Sequence, residues 1–337
     1  MLAGDSLSGS FALCVGGRFP FVVGAAIYIG GSNNKQTSYR GHAFVKTFFH
    51  GLWESQKCKR KVDFYFVFLT FIRTFAAMKE KRPLILIAND DGYQAKGINC
   101  LIDMLRDMAD LIVCAPDAGR SGFACAFSAT KPLRLEKVRE EEGLQVWWCN
   151  GTPVDCVKMA LHCICTRRPD MIVGGINHGD NASVNTHYSG TMGVVMEGCM
   201  KYIPSVAFSL CDFRADADFE PMRDIVRKVT ARVLQEGLPR GVCLNVNYPL
   251  VDEVKGVRVC RMAYGSWGKE VVKCHHPRGY DYYWMVGEYS NDEPADDTTD
   301  NWALAHGYIA ITPTRMDVTS YEMLEQMNGW FDEPKNS

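Results

Sequence analysis

The chain has 337 residues, of which 47% are hydrophobic, and a formal net charge of −2, so it is globular in class and long enough for one large or two ordinary domains. The charge is unevenly spread: residues 1–77 carry nine Lys/Arg against three Asp/Glu, which leaves 28 against 36 for the remainder. So acidic a body is a poor candidate for nucleic-acid binding through a basic surface, whereas a small anionic substrate stays open if a metal supplies local positive charge.

Eleven of the 17 phenylalanines precede residue 78, a break in composition. Phe19 to Gly30 and Phe64 to Ala77 are apolar but short. The first lacks a strong basic region before it and Arg73 interrupts the second, so neither reads as a signal peptide or an ordinary membrane span. Met78 is followed by Lys-Glu-Lys-Arg-Pro and an apolar run. The expectation is that translation starts at Met78, with 1–77 an N-terminal extension outside the fold and 78–337 one folded domain. A real membrane or partner-binding extension is the alternative. Several of the 14 cysteines fall in apolar runs, among them Cys114, Cys163, Cys243 and Cys260, and no Cys-x-x-Cys occurs. They read as buried thiols of a protein in a reducing cytoplasm.

Leu84 to Ala88 is apolar on both faces, as in a strand buried within a parallel sheet. It stops at Asn89-Asp-Asp-Gly92. Ligands of such sheets sit beyond the carboxyl ends of the strands, so Asp90 and Asp91 face the usual crevice and Gly92 permits the sharp turn. Two adjacent carboxylates suit a hard divalent cation, although an empty Asp-Gly turn explains them equally well at this point. Ile98, Leu101, Ile102, Leu105 and Met108 then mark one face of a helix. Asp110 to Ala115 is a second buried strand, followed by a loop, Asp117 to Gly122, that presents Arg120 and Ser121 on the same side. Strand, helix and strand in this order predict an open α/β fold, a doubly wound and mainly parallel sheet.

Gln145 to Cys149 is a further strand. Thr152-Pro-Val-Asp155 reads as a helix start with Thr152 capping, Pro153 in the first turn and Asp155 in the capping-box position, and Val154, Val157, Leu161 and Ile164 continue its apolar face. Met171 to Gly174 is a short strand opening on Gly175-Ile-Asn-His-Gly-Asp-Asn181, which reads as a binding loop. Asn177 offers it a neutral oxygen, and His178 is a proton donor or, as the preferred reading, a surface residue. Ser189-Gly-Thr191 opens a helix whose positive end, with Gly190 allowing close approach, can seat a phosphate. Pro204 to Leu210 is a strand, Met222 to Val233 an amphipathic helix, and Val242 to Val246 the last strand of the central sheet. From residue 255 a β-rich extension is expected, with runs at Val257 to Cys260, Tyr280 to Val286 and Tyr308 to Thr312 and a final helix near Ser320 to Trp330. Tyr282-Tyr-Trp284 packs either against another subunit or into the chain's own core, and the acidic run Asn291 to Asp300 reads as a solvated loop.

Asp90, Asp91, Ser121 and Asn177 all follow separate strands, so one crevice can gather them, and an all-oxygen set suits Mg²⁺ or Mn²⁺ better than zinc. Together with Ala115-Pro-Asp117, Arg120-Ser-Gly122, Gly151-Thr-Pro153, Asp155-Cys156, Glu197-Gly198 and Ile311-Thr-Pro313, these motifs resemble the SurE survival-protein family of metal-dependent nucleotidases, in family order from about Arg82 to the end. The resemblance implies one divalent cation per subunit on Asp90, Asp91, Ser121 and Asn177. It also implies hydrolysis of nucleoside monophosphates, and an extension that forms homodimers or homotetramers. Where the family often has Gly-Pro-Asn, this chain has Gly179-Asp-Asn181, so Asp180 is an added carboxylate of open effect. The expected chemistry is attack by an activated water oriented by Asp90 or Asp91, with Asn89, Ser189, Gly190 and Thr191 around the phosphate. A non-catalytic nucleotide sensor would use the same cradle, whereas a dinucleotide-dependent oxidoreductase is disfavoured because the first turn lacks Gly-x-Gly-x-x-Gly.

Overall fold

Every residue of Leu84–Ala88 is buried, and the alternation of its side chains shows why. Ile85 and Ile87 enter one core with Ile98, Leu101, Phe208, Phe219 and Val226. Leu84, Leu86 and Ala88 enter a second with Val157, Ile172, Met192 and Val195. A strand apolar on both faces therefore has helices above and below it. The computed structural model describes residues 82–331. The expected 1–77 extension, with its two apolar stretches, lies outside them.

In chain order, β1 (Leu84–Ala88) leads to α1 (Lys96–Leu105), β2 (Asp110–Pro116), β3 (Leu135–Glu141), β4 (Leu144–Cys149), α2 (Pro153–Met159), β5 (Met171–His178), α3 (Gly190–Met200), β6 (Ser205–Leu210), α4 (Arg223–Glu236) and β7 (Val242–Tyr248). The C-terminal part adds β8 (Val257–Val259), β9 (Gly265–Gly268), β10 (Val271–His275), β11 (Asp281–Met285), β12 (Glu288–Asn291), α5 (Asp300–Ala305), β13 (Ile309–Arg315) and α6 (Tyr321–Asn328). The central sheet has the order β3-β4-β2-β1-β5-β6-β7-β13-β8. It is parallel from β4 to β7, with antiparallel pairings of β3 on β4 and β13 on β7. This is the doubly wound α/β architecture expected.

Local chemistry accounts for the element starts. Thr152 Oγ1 accepts from the Asp155 N–H at 3.1 Å while Asp155 Oδ2 accepts from the Thr152 N–H at 2.9 Å, a complete capping box with Pro153 in the first turn. Burial opposes the Asp155 charge, but its Ser128 and Thr152 donors outweigh that and hold the carboxyl below the usual carboxylate range.

Three expectations change, and one strand was not expected. The strand β3 gave no apolar signal because it is a charged edge, Leu-Glu-Lys-Val-Arg-Glu-Glu, a composition that keeps an edge from pairing with another chain. The strand β7 is not the last of the central sheet, since β13 and β8 continue it. Cys163 is exposed rather than buried, whereas Cys114, Cys243 and Cys260 are buried, and all described cysteines are free thiols. The run Asn291 to Asp300 is not simply a solvated loop: Thr299 caps α5, and Asp300 is fully buried.

Of the extension, β9 pairs with β12 and β10 with β11, both antiparallel, so the four strands make one long hairpin arm. Its outer half bears exposed rings beside charged groups such as the Lys273–Asp281 pair, with Tyr282 37% and Trp284 61% exposed. Burial of these rings in the described part of their own chain is thereby excluded. No helix among the described residues is long and apolar enough to cross a membrane.

Candidate functional site

The turn after β1 is clasped by its own first residue. Asn89 Nδ2 donates to the Gly92 carbonyl at 3.0 Å, and the Gly92 N–H donates to Asn89 Oδ1 at 3.2 Å. Gly92 itself has φ +104°, a conformation that suits glycine. The clasp fixes the directions in which Asp90 and Asp91 leave the strand end. The Asp90 carbonyl accepts from the Arg120 N–H at 2.6 Å, which docks the loop carrying Ser121 onto the same turn. Ser121 is exposed.

The start of α3 closes on Asp90 from the other side. The Thr191 hydroxyl donates to Asp90 Oδ1. Gly190 is so near that a Cβ on it would stand 2.6 Å from the Asp90 Cβ, and Ser189 caps the helix by accepting from the Met192 N–H at 3.0 Å. From β5, Asn177 gives its amide hydrogens to the His178 and Gly179 carbonyls at 3.2 and 2.9 Å. That leaves its Oδ1 turned towards Thr191 Oγ1, 3.4 Å away. The His178 N–H approaches Asp91 Oδ2 at 3.4 Å. The His178 ring is not a free surface group, because it packs edge-on against Phe219 with centroids 4.8 Å apart. Asp90, Asp91, Asn177, Gly190 and Thr191 thus converge, with Ser121 on an adjoining loop and the Asn89 side chain engaged in the turn.

Asp90 is only 3% exposed, and burial, reinforced by the neighbouring Asp91 charge, pushes its carboxyl up to about 6 against the pull of the Thr191 hydroxyl and the Gly190 N–H. Burial raises Asp91 too, with His178 opposing. The largest influences on either carboxyl include no lysine or arginine. A buried and a half-buried carboxylate with no lysine or arginine against them, beside an amide oxygen, fit a hard divalent cation, which favours oxygen donors. Among the described residues no three His, Cys, Asp or Glu side chains are grouped to hold a metal, so a cation here would depend on Asn and Ser oxygens beside the two acids.

The loop after Asn177 is anchored by residues that sequence reading missed. Asn181 donates from its backbone to Asn247 Oδ1 and from its side chain to Ser209 Oγ, and accepts from Asn245 Nδ2, each at 2.8 Å. The available signal was Asn245-Val-Asn247, two polar residues at alternate positions of an otherwise apolar strand. Asp180 turns into its own loop, its Oδ1 accepting from the Ala182 N–H and the Asn185 amide at 3.2 Å each.

The family model described as "Survival protein SurE" matches residues 85–269. The 5′-nucleotidase SurE of Phocaeicola vulgatus is 54% identical over 253 residues, 75% of this chain and 98% of that protein. The 5′-nucleotidase SurE of Caldanaerobacter subterraneus is 40% identical over 250 residues, 73% of this chain and 96% of that protein. The crystal structure of the SurE protein from Aquifex aeolicus superposes with a TM-score of 0.64 at 34% identity, covering 74% of this chain and all of the other. With the strand-end carboxylates, the Gly175 to Asn181 loop and the Ser189 to Thr191 helix start on one crevice, the chain belongs to the SurE family.

Proposed function

We propose that the crevice at the carboxyl ends of β1 and β5 is the catalytic centre of a metal-dependent 5′-nucleotidase, which cleaves nucleoside 5′-monophosphates, and 3′-monophosphates as well, to nucleoside and phosphate. The activity follows the 5′-nucleotidase relatives, 40 and 54% identical over nearly their whole length. The observation that carries the assignment to this crevice is the Asp90–Thr191 contact, which joins a buried carboxylate to the amino end of α3.

One divalent cation per subunit, Mg²⁺ or Mn²⁺, is assigned to Asp90, Asp91, Ser121 and Asn177. When bound, it supplies positive charge to the phosphoryl group and acidifies water. The remaining work falls to the chain's own groups. Asp91, with Asp90 behind it, accepts a hydrogen bond from the attacking water and aims it at phosphorus opposite the leaving oxygen. The backbone N–H of Thr191 at the start of α3, behind Ser189 and Gly190, and the second amide hydrogen of Asn89 hold phosphate oxygens as charge develops, while the Thr191 hydroxyl stays on Asp90. No side chain is assigned as a covalent nucleophile. A cytoplasmic enzyme, assembled as a homodimer or homotetramer through the bare arm, is consistent with the free thiols and the exposed Tyr282 and Trp284.

The test is phosphate release from a panel of 5′- and 3′-monophosphates with Mg²⁺, Mn²⁺ or a chelator. Metal-dependent release is expected, and Asp91→Asn should lower turnover at least about 100-fold with an unchanged circular dichroism spectrum. Full turnover in that variant overturns the assignment of the cation site. Binding without release at any metal concentration would make the chain a nucleotide sensor instead.

A further inference from the structure

The residues between Asn177 and Ser189 connect the two halves of the proposed site. The cation loop runs through Asp180 into a helical turn at Ser183–His187, and the Ser189 N–H that leads into α3 donates to the Asn185 carbonyl at 3.0 Å. Any displacement of 180–187 therefore moves Asn177 and Thr191 relative to Asp90. What holds this segment from the front is the root of the hairpin arm. Trp267 Nε1 on β9 donates to Asn185 Oδ1 at 2.9 Å, and the Asn185 amide donates to Asp180 Oδ1 at 3.2 Å, so three residues link the arm to the loop. On β12, the Tyr289 hydroxyl donates to Ser183 Oγ at 2.6 Å, and Ser183 passes its own proton to the Ala263 carbonyl at 2.9 Å.

Ser183 shows that this docking is specific. It is fully buried and has φ +51°, a left-handed conformation that costs a serine about 1 kcal/mol or more unless its surroundings enforce it. Asp300 is the enforcing group: its Oδ2 accepts from the Ser183 N–H and its Oδ1 from the Ala263 N–H, both at 2.9 Å. The two rings at the root also fit each other closely, with Trp267 and Tyr289 centroids 5.7 Å apart. A Cβ on Gly265 would stand 2.3 Å from the Tyr289 hydroxyl, and one on Gly287 2.6 Å from Trp267. The glycines leave the room that brings both polar tips onto the 183–185 turn.

We infer that Trp267 and Tyr289 are positioning residues of the nucleotidase site, setting its affinity for the divalent cation through Asn185–Asp180 and through Ser183, and that the arm is thereby coupled to the site. The inference rests on the cation assignment made above. It gives Asp180 a task as well, that of an acceptor within the loop.

The test is calorimetric titration of the metal-free full chain with Mn²⁺, comparing wild type with Trp267→Phe and Tyr289→Phe, which remove one donor each and keep a ring. Partners bonded directly to metal ligands change affinity by about 10- to 100-fold, and Trp267 and Tyr289, acting through Asn185 and Ser183 one or more residues further out, belong at the lower end. The expected result is a Kd for Mn²⁺ raised about 10-fold in each variant. Val226→Ala, which opens a cavity in the core on the opposite face of the sheet from α3, controls for general destabilisation and should leave the Kd unchanged. A wild-type Kd in both arm variants, whatever their melting temperatures, overturns the inference. Asp91→Asn belongs in the same titration: if it too binds Mn²⁺ as the wild type does, the cation assignment itself has failed and the inference falls with it.

Discussion

Replacing Asp90 by Asn should make the metal-free protein more stable while removing its cation site. An ordinary aspartate titrates near 3.8, whereas Asp90 in the folded protein is pushed up to about 6. Between these values the folded state holds a proton that the unfolded chain has released. Stability must therefore fall as pH rises through that window, and the loss is complete above about pH 7. A displacement of this size corresponds to about 3 kcal/mol between the two protonation states. The Asn side chain carries no charge to desolvate and keeps an oxygen for Thr191. In chelator at pH 7.5 the variant should thus exceed wild type by about 2–3 kcal/mol in urea denaturation, with the difference vanishing near pH 4. Other groups titrate in both proteins, so the difference between them isolates this one. Adding Mn²⁺ at 100 times its Kd should return about 2.7 kcal/mol to wild type and nothing to the variant, bringing the two to about the same stability. A difference that does not change with pH, or a variant less stable than wild type in chelator at pH 7.5, would refute the reasoning.

Two further predictions use the same crevice and its supports. Gly190→Ala puts a Cβ 2.6 Å from the Asp90 Cβ and 3.0 Å from its Oδ2, so the carboxylate must shift; activity should fall about 100-fold or more while the far-ultraviolet spectrum stays the same. Lys158→Met strands the Glu197 carboxylate, which is 3% exposed and lies 2.7 Å from the Lys158 ammonium, and with Lys201 still 3.8 Å away the loss in urea denaturation should be about 2 kcal/mol, most of it recovered in the double variant Lys158→Met/Glu197→Met.

What the sequence discloses depends on how far apart the interacting residues are. The strand β1 is legible because five apolar residues in a row have few other uses, and Thr152 to Asp155 because a capping box is complete within four positions. Asp90 and Asp91 are legible as a site because nothing local explains two carboxylates at the end of a buried strand. The charged β3 is not legible, since its register comes from pairing with β4 rather than from alternation of its own. Nor is the buried role of Asp300: its partners Ser183 and Ala263 lie 117 and 37 residues away, and within an acidic run it looks like any solvated aspartate. The resemblance marked the Gly175 to Asn181 loop but is silent on Asp180, whose bond to the Asn185 amide is visible only once Asn185 has been folded back beside it.

The polar residues of Gly175 to Asn181 divide their work in a way that explains how a loop can be accurate enough for chemistry. Register places Asn177 opposite Ser209 and Ser209 opposite Asn247, so one level of β5, β6 and β7 carries a row of polar side chains inside an otherwise apolar sheet. Such a row is unfavourable unless each group is satisfied, and a missing partner costs about 1–3 kcal/mol. Asn181 supplies those partners by folding down onto Ser209, Asn245 and Asn247, all fully buried. Asp180 bonds within the loop, and Asn177 has both amide hydrogens engaged so that only its oxygen faces the carboxylates. The loop is held in place by the same hydrogen bonds that make the buried row tolerable. A Leu at position 247, although better suited to a strand core, would release the Asn181 N–H and with it the loop that aims Asn177.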